Sequence, residues 1–203
     1  WGCIPSKALL HNAKLYQELT HGENLGFKID KISVDWSQVI ARSRGVAAKL
    51  NRGVSSLFKK YGVTHIKGEA RIDRPGRVIV GEEAFEGTHI VLATGARPRP
   101  LPGLPFDGER VMSYKEAMVE DPMPKRVLII GSGAIGCEFA YFFNAFGSEV
   151  TLVEMLDRVM PIEDGEVSAT LARHHPTATS SKTIITMTSA RQCAVRHSSS
   201  HDT

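Results

Sequence analysis

The sequence predicts an α/β fold of the three-layer type, with helices packed on a parallel sheet. Three observations predict it. Short apolar runs of strand character alternate with segments of helical period. A glycine-rich turn joins one such strand directly to one such helix. The composition is that of a globular chain: of 203 residues, 42% are hydrophobic and 23% charged, which is too apolar for disorder throughout. No apolar run approaches the roughly 18 residues of a membrane span. The net charge of +3 is too weak to suggest nucleic acid. Three cysteines cannot build a dense disulfide framework, but they allow an active thiol. No metal site is expected.

The elements follow in order. Residues 5–20 read as a helix, with Pro5 at a permitted first-turn position. Residues 36–61 read as a longer one. Its Val39, Ile40, Val46, Leu50, Val54, Leu57 and Phe58 recur at helical spacing, and Gly62 suits its C-terminal cap. Residues 63–72, 77–80 and 89–93 read as strands, the first two joined by a turn at Arg74, Pro75 and Gly76. A proline-rich connector covers 97–105. A short buried strand at 127–130, a helix at 134–146 and a strand at 149–154 come next. A helix over 163–172 starts under an acidic first turn. From 173 the composition changes. Twelve of the last thirty-one residues are Ser or Thr, four of the eight histidines are there, and none of the eighteen glycines is. The apolar residues of this tail hold no sustained period. It reads as a disordered or out-of-frame segment.

The glycine-rich turn is the first chemical signal. Val127, Leu128, Ile129 and Ile130 run straight into Gly131, Ser132, Gly133, Ala134, Ile135 and Gly136. A G-x-G-x-x-G alone is weak evidence, but here a strand precedes it, and a helix, a second strand and an acid follow. Gly131 permits the tight turn, Gly133 lets a pyrophosphate approach the backbone, and Gly136 lets the helix pack closely. The helix start offers free N–H groups to phosphate. Glu154 ends the second strand eighteen residues after Gly136, where a carboxylate accepts hydrogen bonds from a ribose diol and repels a 2′-phosphate. The pattern is Rossmann-type, and it predicts NAD rather than NADP. Cys137, just inside the helix, reads as a packed small hydrophobe.

The second signal is Cys3, followed by Ile4, Pro5, Ser6 and Lys7. It places a thiol ahead of a helix. A helix N-terminus and a nearby lysine both favour the thiolate, which redox chemistry requires. A buried inert cysteine is the alternative.

Residues 2–10 closely resemble the second half of the active-site motif of the pyridine nucleotide–disulfide oxidoreductases, particularly their dihydrolipoamide dehydrogenase branch. Ile90, Val91, Leu92, Ala93, Thr94, Gly95, Ala96, Arg97 and Pro98 resemble that family's second flavin-contact segment. Residues 127–154 resemble its NAD fingerprint. The likeness covers about 1–172. It implies FAD and NAD as cofactors and the oxidation of a dithiol to a disulfide, with electrons passing through FAD to NAD. Cys3 matches the flavin-proximal cysteine and Lys7 the lysine near the reactive flavin edge. Glu138 matches the glutamate that pairs with that lysine near the nicotinamide. Ala70, Thr94, Gly95 and Ala96 match FAD contacts. Gly131, Gly133, Ala134, Ile135, Gly136, Glu138 and Glu154 match the NAD site. The implied substrate is dihydrolipoamide on a carrier domain of a 2-oxo acid dehydrogenase complex. The implied assembly is a homodimer without nucleic acid or membrane, in the cytoplasm or the mitochondrial matrix.

On this resemblance the chain divides into a partial FAD-binding domain (1–98), a connector (99–123), the first half of an NAD-binding domain (124–172) and the tail (173–203). The expectation is a fragment, inactive when isolated, because the first FAD motif and the partner cysteine are absent. The tail histidines lack the family's context for its acid–base histidine. Another family member, such as a soluble transhydrogenase or a mercury or glutathione reductase, is the alternative. So is a non-catalytic dinucleotide-binding remnant.

Overall fold

The computed structural model describes residues 1–174 and 183–186. They group into two units: residues 1–44 with 118 onward, and residues 45–117. In the first unit the first helix packs on the helix of the glycine turn.

In the first unit, α1 (Cys3–Thr20) starts two residues before its predicted position, so Cys3 is the first helical residue and Gly2 the cap. Pro5 therefore sits within the first turn, where its missing N–H costs nothing. A 3₁₀ turn (Gly22–Leu25) follows and closes on Gly26, whose φ is 83°. Helix α2 (Trp36–Lys60) begins in this unit and continues into the other from residue 45. Asp35 Oδ1 accepts the Gln38 N–H at 2.9 Å, which caps an otherwise open first turn.

The sheet of this unit is parallel. Strand β4 (Arg126–Ile130) lies beside β5 (Glu149–Glu154), with Ile130 opposite Val153. Helix α4 (Ala134–Ala145) connects them. Against α4 lie α1 and the start of α2, through rings at stacking or edge distance. Trp36 stacks on Phe142 with centroids 5.2 Å apart, and Tyr16 stacks on Phe146 at 5.1 Å. Leu9, Ala13, Phe142 and Phe143 are buried there. Helix α5 (Gly165–His174) lies two residues later than predicted, and Asp164 Oδ1 takes the Glu166 N–H at 2.8 Å.

The 3₁₀ turn, a third strand of the second unit, a four-residue helix near its end and a strand in the tail were not foreseen. Strand β6 (Thr183–Thr186) pairs in parallel with β5, giving the order β4-β5-β6. Four β-branched residues in a row favour a strand, but four are too few to display a period. The rest of the tail, 175–182 and 187–203, lies outside the described residues.

In the second unit, three strands form an antiparallel meander: β1 (Ala70–Arg74), β2 (Arg77–Val80) and β3 (Glu83–Glu86). Gly76, with φ 79°, makes the β1–β2 turn that its proline–glycine pair signals. A four-residue helix, α3 (Tyr114–Ala117), lies near its end. Two predicted strands differ. Of 63–72 only the last three residues are extended into a ladder, and 89–93 is irregular. Val91 is 86% exposed and Leu92 71%. A run that is apolar on both faces is suited to a sheet interior. Among the described residues no strand pairs with 89–93, so its backbone has no ladder to join.

Candidate functional site

The β4–α4 turn is closed by backbone. Gly131 adopts φ 103° and donates its N–H to Val153 O at 2.8 Å. That bond ties the turn to the neighbouring strand. A Cβ at Gly136 would stand 1.9 Å from Gly131 O, so only glycine fits the approach of helix to turn. At Gly133 a Cβ would meet nothing within 4 Å. The main chain there is open to a ligand. This open cradle at a helix start fits a pyrophosphate.

Glu154 ends β5 beside this turn and is buried. Its Oε2 accepts the Ser132 N–H at 2.7 Å and the Ser132 hydroxyl at 2.8 Å. Its Oε1 accepts the N–H groups of Met155 at 2.8 Å and Leu156 at 3.0 Å. Burial pushes this carboxyl up, but the bonds from Ser132, Leu156 and Met155 outweigh it and hold the group below the ordinary carboxylate range. The carboxylate is therefore ionised at neutral pH, as repulsion of a 2′-phosphate requires. Ser132 is wholly buried, and its carbonyl accepts the Met160 N–H at 3.0 Å and the Cys137 thiol at 3.2 Å. Sequence reading passes over Ser132. Its only signal is a polar residue between two glycines.

Burial, and then the carboxylates of Glu154 and Glu138, push the Cys137 thiol up. It stays protonated and half-buried, consistent with a packing residue. Cys3 and Cys137 are both free.

Glu138 is one residue further along α4, and it forms an ion pair with Lys7 of α1. Lys7 stands one helical turn after Cys3, whose side chain is exposed. The family resemblance pairs Lys7 with Glu138, and the structure brings these two together across 131 positions. Further along the same helix pair, Tyr141 donates its hydroxyl to Gln17 Oε1 at 2.9 Å. Leu9, Leu10, Phe139 and Phe142, with Ser6 and Glu138, line a shallow apolar hollow beside the ion pair.

The remaining predicted contacts belong to the second unit. Ala70 opens β1. Thr94, Gly95 and Ala96 lie in the irregular, exposed stretch after 89–93. Gly95 has φ 79° and open space where a Cβ would be, so its backbone admits a ligand edge. Among the described residues no group of three or more His, Cys, Asp and Glu side chains is arranged to hold a metal. No helix there is long and apolar enough to cross a membrane.

A family model described as pyridine nucleotide-disulphide oxidoreductase matches residues 1–195. The chain belongs to the pyridine nucleotide-disulphide oxidoreductase family. The matched span runs past residue 173, into the segment whose composition differs. A dihydrolipoyl dehydrogenase of Rhizobium etli is 41% identical over 189 residues, covering 83% of this chain and 39% of the relative. One of Zymomonas mobilis is 43% identical over 178 residues, covering 85% and 38%. The crystal structure of LpdA from Mycobacterium tuberculosis superposes with a TM-score of 0.73 at 27% identity, over 90% of this chain and 41% of that one. The chain thus spans about two fifths of the length of these relatives. The fold class read from the glycine turn, an α/β nucleotide-binding architecture of Rossmann type, is that of this oxidoreductase family.

Proposed function

We propose that this chain supplies the thiol-bearing helix and the NAD-binding β-α-β unit of a flavin-dependent dihydrolipoyl dehydrogenase. One observation carries the reading. The Lys7–Glu138 ion pair joins the helix that begins at Cys3 to the helix that begins at the glycine turn. A thiol and a nucleotide site are thereby coupled, which disulfide chemistry linked to NAD requires.

In this reading Cys3 is the flavin-proximal thiolate. Lys7, held by Glu138, keeps a positive charge near it. The open main chain at Gly131, Gly133, Ala134, Ile135 and Gly136 receives the pyrophosphate of NAD, and Glu154 faces the ribose. Glu138 also borders the nicotinamide. In the second unit, Ala70, Thr94, Gly95 and Ala96 would contact FAD, which would supply two-electron transfer between a thiolate and a nicotinamide. The substrate is dihydrolipoamide on a carrier domain of a 2-oxo acid dehydrogenase complex. The whole enzyme is a homodimer of the cytoplasm or mitochondrial matrix. Cys3 and Cys137 are free thiols among the described residues, and in this reading the isolated chain does not turn over.

Calorimetry with NAD and NADP tests the nucleotide assignment. NAD should bind, and NADP should bind about tenfold more weakly. Roughly 1.4 kcal/mol of repulsion between the Glu154 carboxylate and a 2′-phosphate is enough for that factor. A preference for NADP would overturn the role of Glu154. A visible spectrum of the purified chain tests the flavin assignment, and dihydrolipoamide oxidation by the isolated chain would overturn its inactivity.

A further inference from the structure

We infer that Ser132 is a positioning residue of the nucleotide site: its hydroxyl holds the Glu154 carboxylate in the place of a ribose hydroxyl and yields that place when the nucleotide binds. The inference rests on the NAD reading of this turn.

A carboxylate offers about four lone-pair positions. Glu154 has four donors on it, two to each oxygen. Its acceptor capacity is full before any ribose arrives. A ribose hydroxyl can bind only by displacing a donor. Three of the four donors are backbone N–H groups, those of Ser132, Met155 and Leu156. Each is fixed by the course of the chain. The Ser132 N–H is flanked by the turn that Gly131 anchors to β5, and the Met155 and Leu156 N–H groups follow directly from the strand end. Only the Ser132 hydroxyl is a rotor. It can turn away while its own N–H keeps hold of the carboxylate, and because Ser132 is wholly buried the freed hydroxyl then gives up its partner without water to replace it.

This arrangement has two consequences. Without nucleotide, the hydroxyl keeps a buried charge satisfied, which an empty position would not. With nucleotide, that same bond must be surrendered, so Ser132 lowers the affinity for any ribose that carries hydroxyls. The other titratable group facing this carboxylate is Cys137, one turn into α4, whose thiol remains protonated.

The test uses Ser132→Ala in the full chain, with two readouts. The first needs no ligand. The carboxyl ¹³C signal of Glu154 is titrated by NMR, and its midpoint should rise in the variant. A midpoint that stays put would overturn the inference. The second is calorimetry with NAD and with an analogue whose adenosine ribose lacks both hydroxyls. The variant should bind NAD about fivefold more tightly, the worth of one net hydrogen bond, and the analogue with unchanged affinity. Equal weakening of both ligands, or no change for NAD, would also overturn it. Ser132→Gly removes the same hydroxyl and repeats the test if the alanine variant does not fold. If wild-type chain binds neither ligand while the midpoint moves as stated, the NAD reading fails and the hold of Ser132 on Glu154 stands.

Discussion

Glu154 commits its carboxylate to the turn that precedes it in space, so its charge state is coupled to the fold. Its folded pKa lies below the ordinary value. The stabilisation it contributes is therefore present above the ordinary carboxylate range and is lost as pH falls through the lowered value. Glu154→Gln would turn an amide NH₂ toward backbone donors. The variant should lose about 1.5–3 kcal/mol at neutral pH, the range for bonds to a charged acceptor, measured by urea unfolding. Its deficit should shrink toward zero as pH falls through the lowered value at which the wild-type carboxyl takes up its proton. The cysteines differ in the same local way. Cys3 is exposed, while Cys137 is half-buried and protonated. Iodoacetamide at neutral pH should label Cys3 well before Cys137, read by peptide mass analysis. The Lys7–Glu138 pair has side chains 63% and 30% exposed, so its direct contribution to stability is about 0–1 kcal/mol. Its importance lies in where it holds the charge.

At the level of elements, the glycine turn was legible because its residues have backbone reasons to be there. Gly131 needs a left-handed φ, and Gly136 admits Gly131 O where a Cβ would collide. Gly136→Ala should force the turn away from α4. It should cost about 1–3 kcal/mol by overpacking and abolish NAD binding, checked by thermal melting and calorimetry. Strand β5 came out with its predicted bounds, and α2 ended one residue short of them. Both carry a strong local period. The reading of 89–93 as a strand did not survive, although its residues suit one. A strand exists only as part of a ladder, and sequence pattern cannot supply the neighbour. Strand β6 is the converse case. Thr183, Ile184, Ile185 and Thr186 have no convincing pattern, yet they pair with β5.

For the molecule as a whole, apolar surface is the dominant feature. Leu128 and Ile130 of β4 are 62% and 50% exposed, and Ile135 beside them is 63% exposed. Uncovered sheet faces of this kind bind dyes and promote association. The isolated chain should enhance anilinonaphthalene sulfonate fluorescence at neutral pH, and Leu128→Lys should reduce that signal without lowering the melting temperature. A dark, monomeric sample would count against the exposed face. The sequence by itself determined the α/β class, the glycine turn with its following acid, the thiol at a helix start and the family they resemble. Each of these rests on residues close together in the chain, where backbone sterics and period act. The tertiary structure alone decided that residues 1–44 group with 118 onward, that Ser132 saturates Glu154, and that Trp36 and Tyr16 close over α4. Those contacts join positions far apart in sequence, and their partners are chosen by packing and by the need to satisfy buried polar groups. No local pattern encodes that choice.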